Sequence, residues 1–306
     1  MRYVKNSKRR IYYNVSNSRR IKIEKISIHG PGVIILTGPS SCGKGAVGEK
    51  LRKLFSMERK MYLSMGDILR TAFHKAKIDK SYSDLLEKSY SISKNQSIFD
   101  SIDSTEHLKE KVSKHLDKLN AHFNYKEDNQ NISQIEWLEF CTVHGLLVPN
   151  RWTQVFMETH ILNLESRIAK PFIIDGYPRT VQAAEHLLTF LDHIRIPIIK
   201  VIHLSISKQE MIERAKRRGR LDDDGEAINN RYNFYVNSVQ PSVDFIKERI
   251  GSSQVSIIDA HQPVYSKDQD KSLNLDESIN NVVADVLYNL GVSKNHAFDL
   301  LKALDK

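Results

Sequence analysis

The sequence predicts an α/β fold of three layers, a five-stranded parallel sheet with helices on both faces. Three observations carry that expectation. Short apolar runs at Val33–Leu36, Met61–Leu63, Phe172–Ile174, Lys200–Ile206 and Val255–Ile258 read as buried strands. The segments between them mostly carry apolar residues at helical spacing, and such alternation belongs to parallel sheets covered by helices. The residues with chemistry to offer fall just after a strand or on the helix that follows, where ligands sit in such folds.

The elements follow in order. Residues 1–30 hold nine Lys or Arg against the single acid Glu24, so this stretch carries +8 of the chain's net +9. It reads as a basic N-terminal extension and, most simply, a solvated arm; nucleic acid, acidic lipid, another chain or a transit role stay open. Ile21, Ile23, Ile26 and Ile28 suggest a short strand within it. The first strand of the sheet follows at Val33. Residues 79–133 interrupt the rhythm, being polar and without strand signals. There Asp103 and Glu106 predict a capping box, and Leu108, Val112, Leu116, Leu119 and Phe123 a helical apolar stripe. Asn274 and Glu277 predict the start of a helix through Ile279, Val283, Val286 and Leu290, stopped by Gly291. A short amphipathic segment, Ala297 to Leu304, ends the chain.

Composition narrows the class. With 306 residues, 40% of them apolar, the chain can bury a full core, as one large domain or one with appended subdomains. No apolar run approaches the length of a membrane span or a signal peptide, so a cytoplasmic protein is expected. Two cysteines, Cys42 and Cys141, cannot make a disulfide framework or a four-cysteine zinc site.

The strand Val33–Leu36 runs into Gly38-Pro39-Ser40-Ser41-Cys42-Gly43-Lys44-Gly45 and then a helix-like Ala46–Phe55. A glycine-rich turn between strand and helix points successive backbone N–H groups at phosphate oxygens, and the helix N-terminus adds its positive end. Lys44 supplies a mobile cation for the β- and γ-phosphates. Most such loops follow the lysine with Ser or Thr to ligate Mg²⁺; here Gly45 stands there, which disfavours GTPases and motor-type ATPases. Cys42 reads as a small residue in a tight turn, not as a redox sensor.

Four further segments occur in a telling order: Ser64-Met65-Gly66-Asp67-Ile68-Leu69-Arg70, Leu147-Val148-Pro149, Asp175-Gly176-Tyr177-Pro178-Arg179-Thr180, and the Arg-rich run Arg214–Asp223 with Arg231 beyond it. With the Gly-Lys-Gly of the loop, they resemble the motifs of the adenylate kinase family of nucleoside monophosphate kinases. The resemblance covers about residues 31–78, 134–262 and the helix to about 290. It implies a P-loop kinase fold and assigns ATP binding to Gly38, Ser40, Ser41, Cys42, Gly43, Lys44, Gly45, Ala46, Arg214 and Arg218. Acceptor binding falls by the same resemblance to Met65, Arg70, Leu147, Val148, Arg179, Gln182, Arg220 and Arg231. Asp175 would meet Mg²⁺ through water, and Lys44, Asp175, Arg179, Arg218, Arg220 and Arg231 would serve catalysis. Arginines suit that role physically, because phosphoryl transfer spreads negative charge over the migrating group.

The implied organisation is a basic extension (1–30), a kinase core (31–292) and a C-terminal helical extension (293–306). Within the core, an acceptor-binding subdomain spans about 64–150, carrying the insertion 79–133, and a short lid spans about 214–231. The implied partners are ATP and a nucleoside monophosphate, with Mg²⁺ as cofactor, no zinc, no membrane, no nucleic acid and a monomeric state. AMP is the expected acceptor, with relaxed preference: Met65 replaces the family's threonine, and Gln182 sits one residue before the family's base-reading position, here Ala183. A pyrimidine nucleotide kinase of the same fold and a non-catalytic nucleotide-binding regulator are the alternatives.

Overall fold

Runs of Val, Ile and Phe without polar alternation need cover on both faces, and a parallel sheet between helices supplies it. The computed structural model describes residues 11–15, 23–28, 30–100, 106–125, 132–219, 225–266 and 272–304. In chain order, β1 (Ile11–Val15) and β2 (Ile23–Ile28) form an antiparallel pair of their own. Next, β3 (Gly32–Thr37) leads through a loop to α1 (Lys44–Leu54), and β4 (Tyr62–Ser64) runs directly into α2 (Met65–Ile78). Five helices follow: α3 (Lys80–Tyr90), α4 (Glu106–Lys114), α5 (Leu116–Phe123), α6 (Gln134–Val143) and α7 (Asn150–Leu162). Then come β5 (Pro171–Asp175), α8 (Val181–His193), β6 (Ile198–Ser205) and α9 (Lys208–Arg218). Beyond the Arg-rich run lie α10 (Gly225–Phe234), a π-helical turn (Tyr235–Val239) and α11 (Gln240–Ile250). The last elements are β7 (Val255–Asp259), α12 (Leu275–Asn289) and α13 (Lys294–Leu304).

The sheet is parallel throughout, in the order β4-β5-β3-β6-β7. Each expected strand is present, and β6 starts two residues earlier than its apolar run suggested. All of β3 and β5 is buried. Helices cover the sheet in two groups, α1 with α12 and α13, and α7 with α8 and α11. This is the α/β P-loop kinase fold. The chain leaves β3 for one side of the sheet, then crosses from β5 to β6 on the other, so a crevice opens at the carboxyl end of β3.

Side-chain caps fix where helices begin. Ser64 Oγ accepts from the Asp67 N–H to start α2, and Thr180 Oγ1 does the same for Ala183 in α8. Asn274 starts α12 as expected, its Oδ1 accepting from the Glu277 N–H at 3.1 Å. Ser133 and Glu136 form a reciprocal capping box at α6.

The segment 79–133 is mostly helical where it is described, apart from the connection 91–97, where Ser97 bridges to Ser133. Val112 and Leu119 are fully buried in the main core, and Leu116 and Phe123 pack against it, so the expected stripe is the face that docks. The capping box expected at Asp103 lies outside the described residues. Among the described residues, no helix is long and apolar enough to cross a membrane.

Candidate active site

Parallel pairing sets the floor of the crevice. Register puts Asp175, the last residue of β5, beside Leu36 of β3 and Ser64 of β4. The loop after β3 then crosses the end of β6 so closely that a Cβ on Gly38 (φ 140°) would stand 2.3 Å from the Leu204 carbonyl oxygen. Only glycine fits there. Gly43, at φ 93°, turns the chain into α1, which has no side-chain cap of its own. Lys44 folds back over the loop, its Nζ donating to the carbonyls of Gly38 (3.0 Å) and Pro39 (2.7 Å). Cys42 lies beneath, 1% exposed, with Sγ 3.5 Å from Lys44 Nζ.

Asp175 is buried, and burial pushes its carboxyl up, against the pull of Lys44, the Tyr62 hydroxyl and Arg179. Its Oδ2 accepts from Tyr62 Oη at 2.6 Å. Burial and the neighbouring carboxylate push the Tyr62 phenol up, so it stays a donor. Asp175 Oδ1 and Ser41 Oγ are buried with no hydrogen-bond partner among the described residues. Arg179 donates from Nε to the Gly176 carbonyl (2.7 Å) and lies 6.0 Å from the Phe234 ring centroid. Burial draws its guanidinium down to about 10; Asp175 opposes this, and Arg231 and Arg70 reinforce it. Three arginines therefore feel one another across the same space.

Each of those neighbours has its own support. Arg70 pairs with Asp67 one turn earlier on α2, at 2.7 Å. Arg231 runs against Gly145, where a Cβ would come within 2.8 Å of its Nε. On α9, Arg214 pairs with Glu210 and donates to the Ala260 carbonyl (2.9 Å), while Arg218 stands exposed at the helix end. Gly219, left-handed at φ 61°, ends that helix.

Together these groups wall a cleft of about 610 Å³. Of the residues assigned to ATP, Gly38, Ser40, Ser41, Gly43, Lys44, Gly45, Ala46, Arg214 and Arg218 line it. Arg70, Val148, Asp175, Arg179 and Arg231 line it as well. The chemistry of the donor set fits Mg²⁺. A buried carboxylate oxygen with no partner among the described residues, beside a phosphate-loop lysine, can accept from metal-bound water, and this hard cation prefers oxygen surroundings.

Residues 128–250 match the family model described as adenylate kinase. Similar proteins include the adenylate kinase of Mycobacterium tuberculosis, 32% identical over 106 residues that make up 35% of this chain and 58% of that one. The adenylate kinase of Xanthomonas oryzae pv. oryzae is 36% identical over 89 residues, 28% of this chain and 48% of the relative. Over residues 128–250 the chain is thus similar to adenylate kinases. Its aligned stretch spans only about half the length of these relatives.

The residues expected to bind the acceptor depart most from that expectation. Met65 is fully buried in the core, and its neighbours Ser64, Gly66 and Leu69 face the cleft instead. The Leu147 carbonyl accepts from Lys111 Nζ of α4 at 2.7 Å, and Leu147 does not line the cleft. Gln182 Oε1 accepts from Asn150 Nδ2 at 2.8 Å, and Gln182 also stays off the cleft wall. Arg220, Asp222 and Asp223 lie outside the described residues. Sequence reasoning missed Tyr62, Cys141, Thr142 and Phe234, all at the cleft. Tyr62 had a usable signal, two residues before Ser64 in a strand, hence on the same side of it.

Proposed function

We propose that the protein is a nucleoside monophosphate kinase that moves the γ-phosphoryl group of ATP–Mg²⁺ to AMP, giving two ADP. The observation that carries this reading is the convergence on one cleft of Lys44, Arg70, Asp175, Arg179, Arg214, Arg218 and Arg231. In this reading the loop amides and Lys44 hold the β- and γ-phosphates, with Arg214 and Arg218 on the donor side. Arg70, Arg179 and Arg231 grip the acceptor phosphate, one oxygen of which attacks the γ-phosphorus as the bond to the ADP oxygen breaks. Arg220 would join them. Asp175 would hold Mg²⁺ through water, and the ion, when bound, neutralises phosphate charge. Residues of about 64–150 form the acceptor side, with 79–133 inserted in it, and about 214–231 form a short lid.

Base choice is the finer point. In this reading Leu69, Cys141, Thr142, Leu146 and Val148, which line the cleft, would wall the acceptor side, while Gln182 is engaged by Asn150. A mainly apolar pocket discriminates among bases weakly. On overall resemblance AMP would be the best acceptor, and the weak discrimination implies that CMP, UMP and dGMP are also turned over. An ATP-consumption assay across nucleoside monophosphates tests this. Strict selection of one pyrimidine nucleotide would move the assignment to a pyrimidine kinase, and no turnover with any acceptor would favour a non-catalytic nucleotide-binding protein.

A further inference from the structure

Tyr62 belongs to none of the motif positions, yet its surroundings leave its hydroxyl a single place to go. The ring sits over α1, where Gly48 makes the room: a Cβ there would lie 2.4 Å from the ring and 2.8 Å from the hydroxyl. The Arg59 guanidinium lies 5.3 Å from the ring centroid. Tyr62 is 8% exposed and Asp175 is 7% exposed, so their 2.6 Å bond is formed away from water. Hydrogen bonds to an ionised group in such surroundings are short and strong.

The consequence falls on Asp175. One of its oxygens is occupied by the phenol, and the other, buried and unpartnered among the described residues, is left over. A carboxylate held at one oxygen cannot rotate to offer either at random. We propose that Tyr62 is a positioning residue, whose hydroxyl fixes Asp175 so that Oδ1 alone is presented to the metal–nucleotide complex. This rests on the kinase reading above. Tyr62 also ties β4, which runs into the helix bearing Arg70, to the strand bearing Asp175, so donor and acceptor sides share this bond.

Partners that orient a metal-facing group commonly change metal affinity by about 10- to 100-fold when removed. Tyr62→Phe deletes one oxygen and keeps the ring. ATP binding measured by calorimetry at increasing Mg²⁺ should show the Mg²⁺ midpoint raised roughly tenfold in this variant. Affinity for ATP without Mg²⁺ should stay within about twofold of wild type, a split that a merely structural role does not give. In an Asp175→Asn background the same substitution should add little to the Mg²⁺ midpoint, because the effect travels through Asp175. Thermal melts of all four proteins establish folding, and the Asp175→Asn pair decides the matter if Tyr62→Phe alone does not melt cooperatively. An unmoved midpoint, equal loss with and without Mg²⁺, or full additivity with Asp175→Asn would overturn the inference alone. Wild-type protein that binds no ATP under any condition would overturn the kinase reading and this inference with it.

Discussion

Lys44 is held by two loop carbonyls and is not engaged in the core, and in the proposed reading it meets the β- and γ-phosphates. Lys44→Ala should therefore leave the fold intact and lower turnover by roughly a hundredfold or more, since losing a contact to developing charge commonly costs about 2–4 kcal/mol. Arg179→Ala should do the same by steady-state kinetics, and a loss under about threefold for either would remove its assigned role. Such residues are legible because strand, glycine turn and cation are adjacent in sequence. Tyr62 is not, because its partner lies 113 residues away and meets it only through β4–β5 pairing. His203 was equally hidden. It lies under the loop on β6, bonded to Tyr235 Oη at 2.9 Å, and burial, with Lys44 near, draws it from 6.5 down to about 4. The buried ring stays neutral while an unfolded chain takes up a proton below pH 6.5, so stability present above 6.5 is lost as pH falls towards 4. Denaturant titrations at pH 7 and pH 5 should show wild type losing about 2 kcal/mol more than His203→Asn. Parallel losses in the two proteins would mean that His203 does not carry this dependence.

At the scale of elements, helix-period stripes and cap residues were readable in place. The apolar stripe of 79–133 does dock, with Val112 and Leu119 at no exposure. The docking partner was not readable, because it is set by tertiary contact. Lys111 of α4 reaches the Leu147 carbonyl and lies 5.8 Å from the Trp137 ring centroid. Farther along, Lys118 of α5 pairs with Glu226 of α10, the helix that carries Arg231. The inserted helices thus touch both the segment before α7 and the helix after the Arg-rich run. Lys118–Glu226 is exposed and contributes little stability. The Lys111 bond is partly buried and charged, worth about 1.5 kcal/mol or more. Lys111→Ala should loosen the Leu147–Val148 segment and raise the acceptor KM by roughly tenfold while leaving the ATP KM within about twofold. Equal changes in both constants would point to general loosening of the cleft instead.

Over the whole molecule, sequence alternation was enough for a parallel sheet but not for its order, since β4-β5-β3-β6-β7 depends on which crossovers each helix makes. Nor did it reveal that the basic extension contains a paired hairpin, because β1 has no apolar run of the kind that marks the other strands. That hairpin changes what truncation should do. Among the described residues none before Thr37 lines the cleft, so removal of residues 1–28 is expected to leave the described cleft groups in place. Yet β2 lies against α13, whose Ala297, Leu300 and Leu301 are buried, and Ile28 packs on the main core. Losing one well-packed aliphatic contact costs about 2 kcal/mol, enough to lower Tm by roughly 3 °C in a chain of this size. The truncated protein should thus melt earlier but turn over at a rate within about twofold of the full chain when assayed well below its Tm. If turnover falls more than tenfold while Tm holds, the basic residues 1–28 act on the reaction directly, through substrate attraction to their +8 charge rather than through packing on α13.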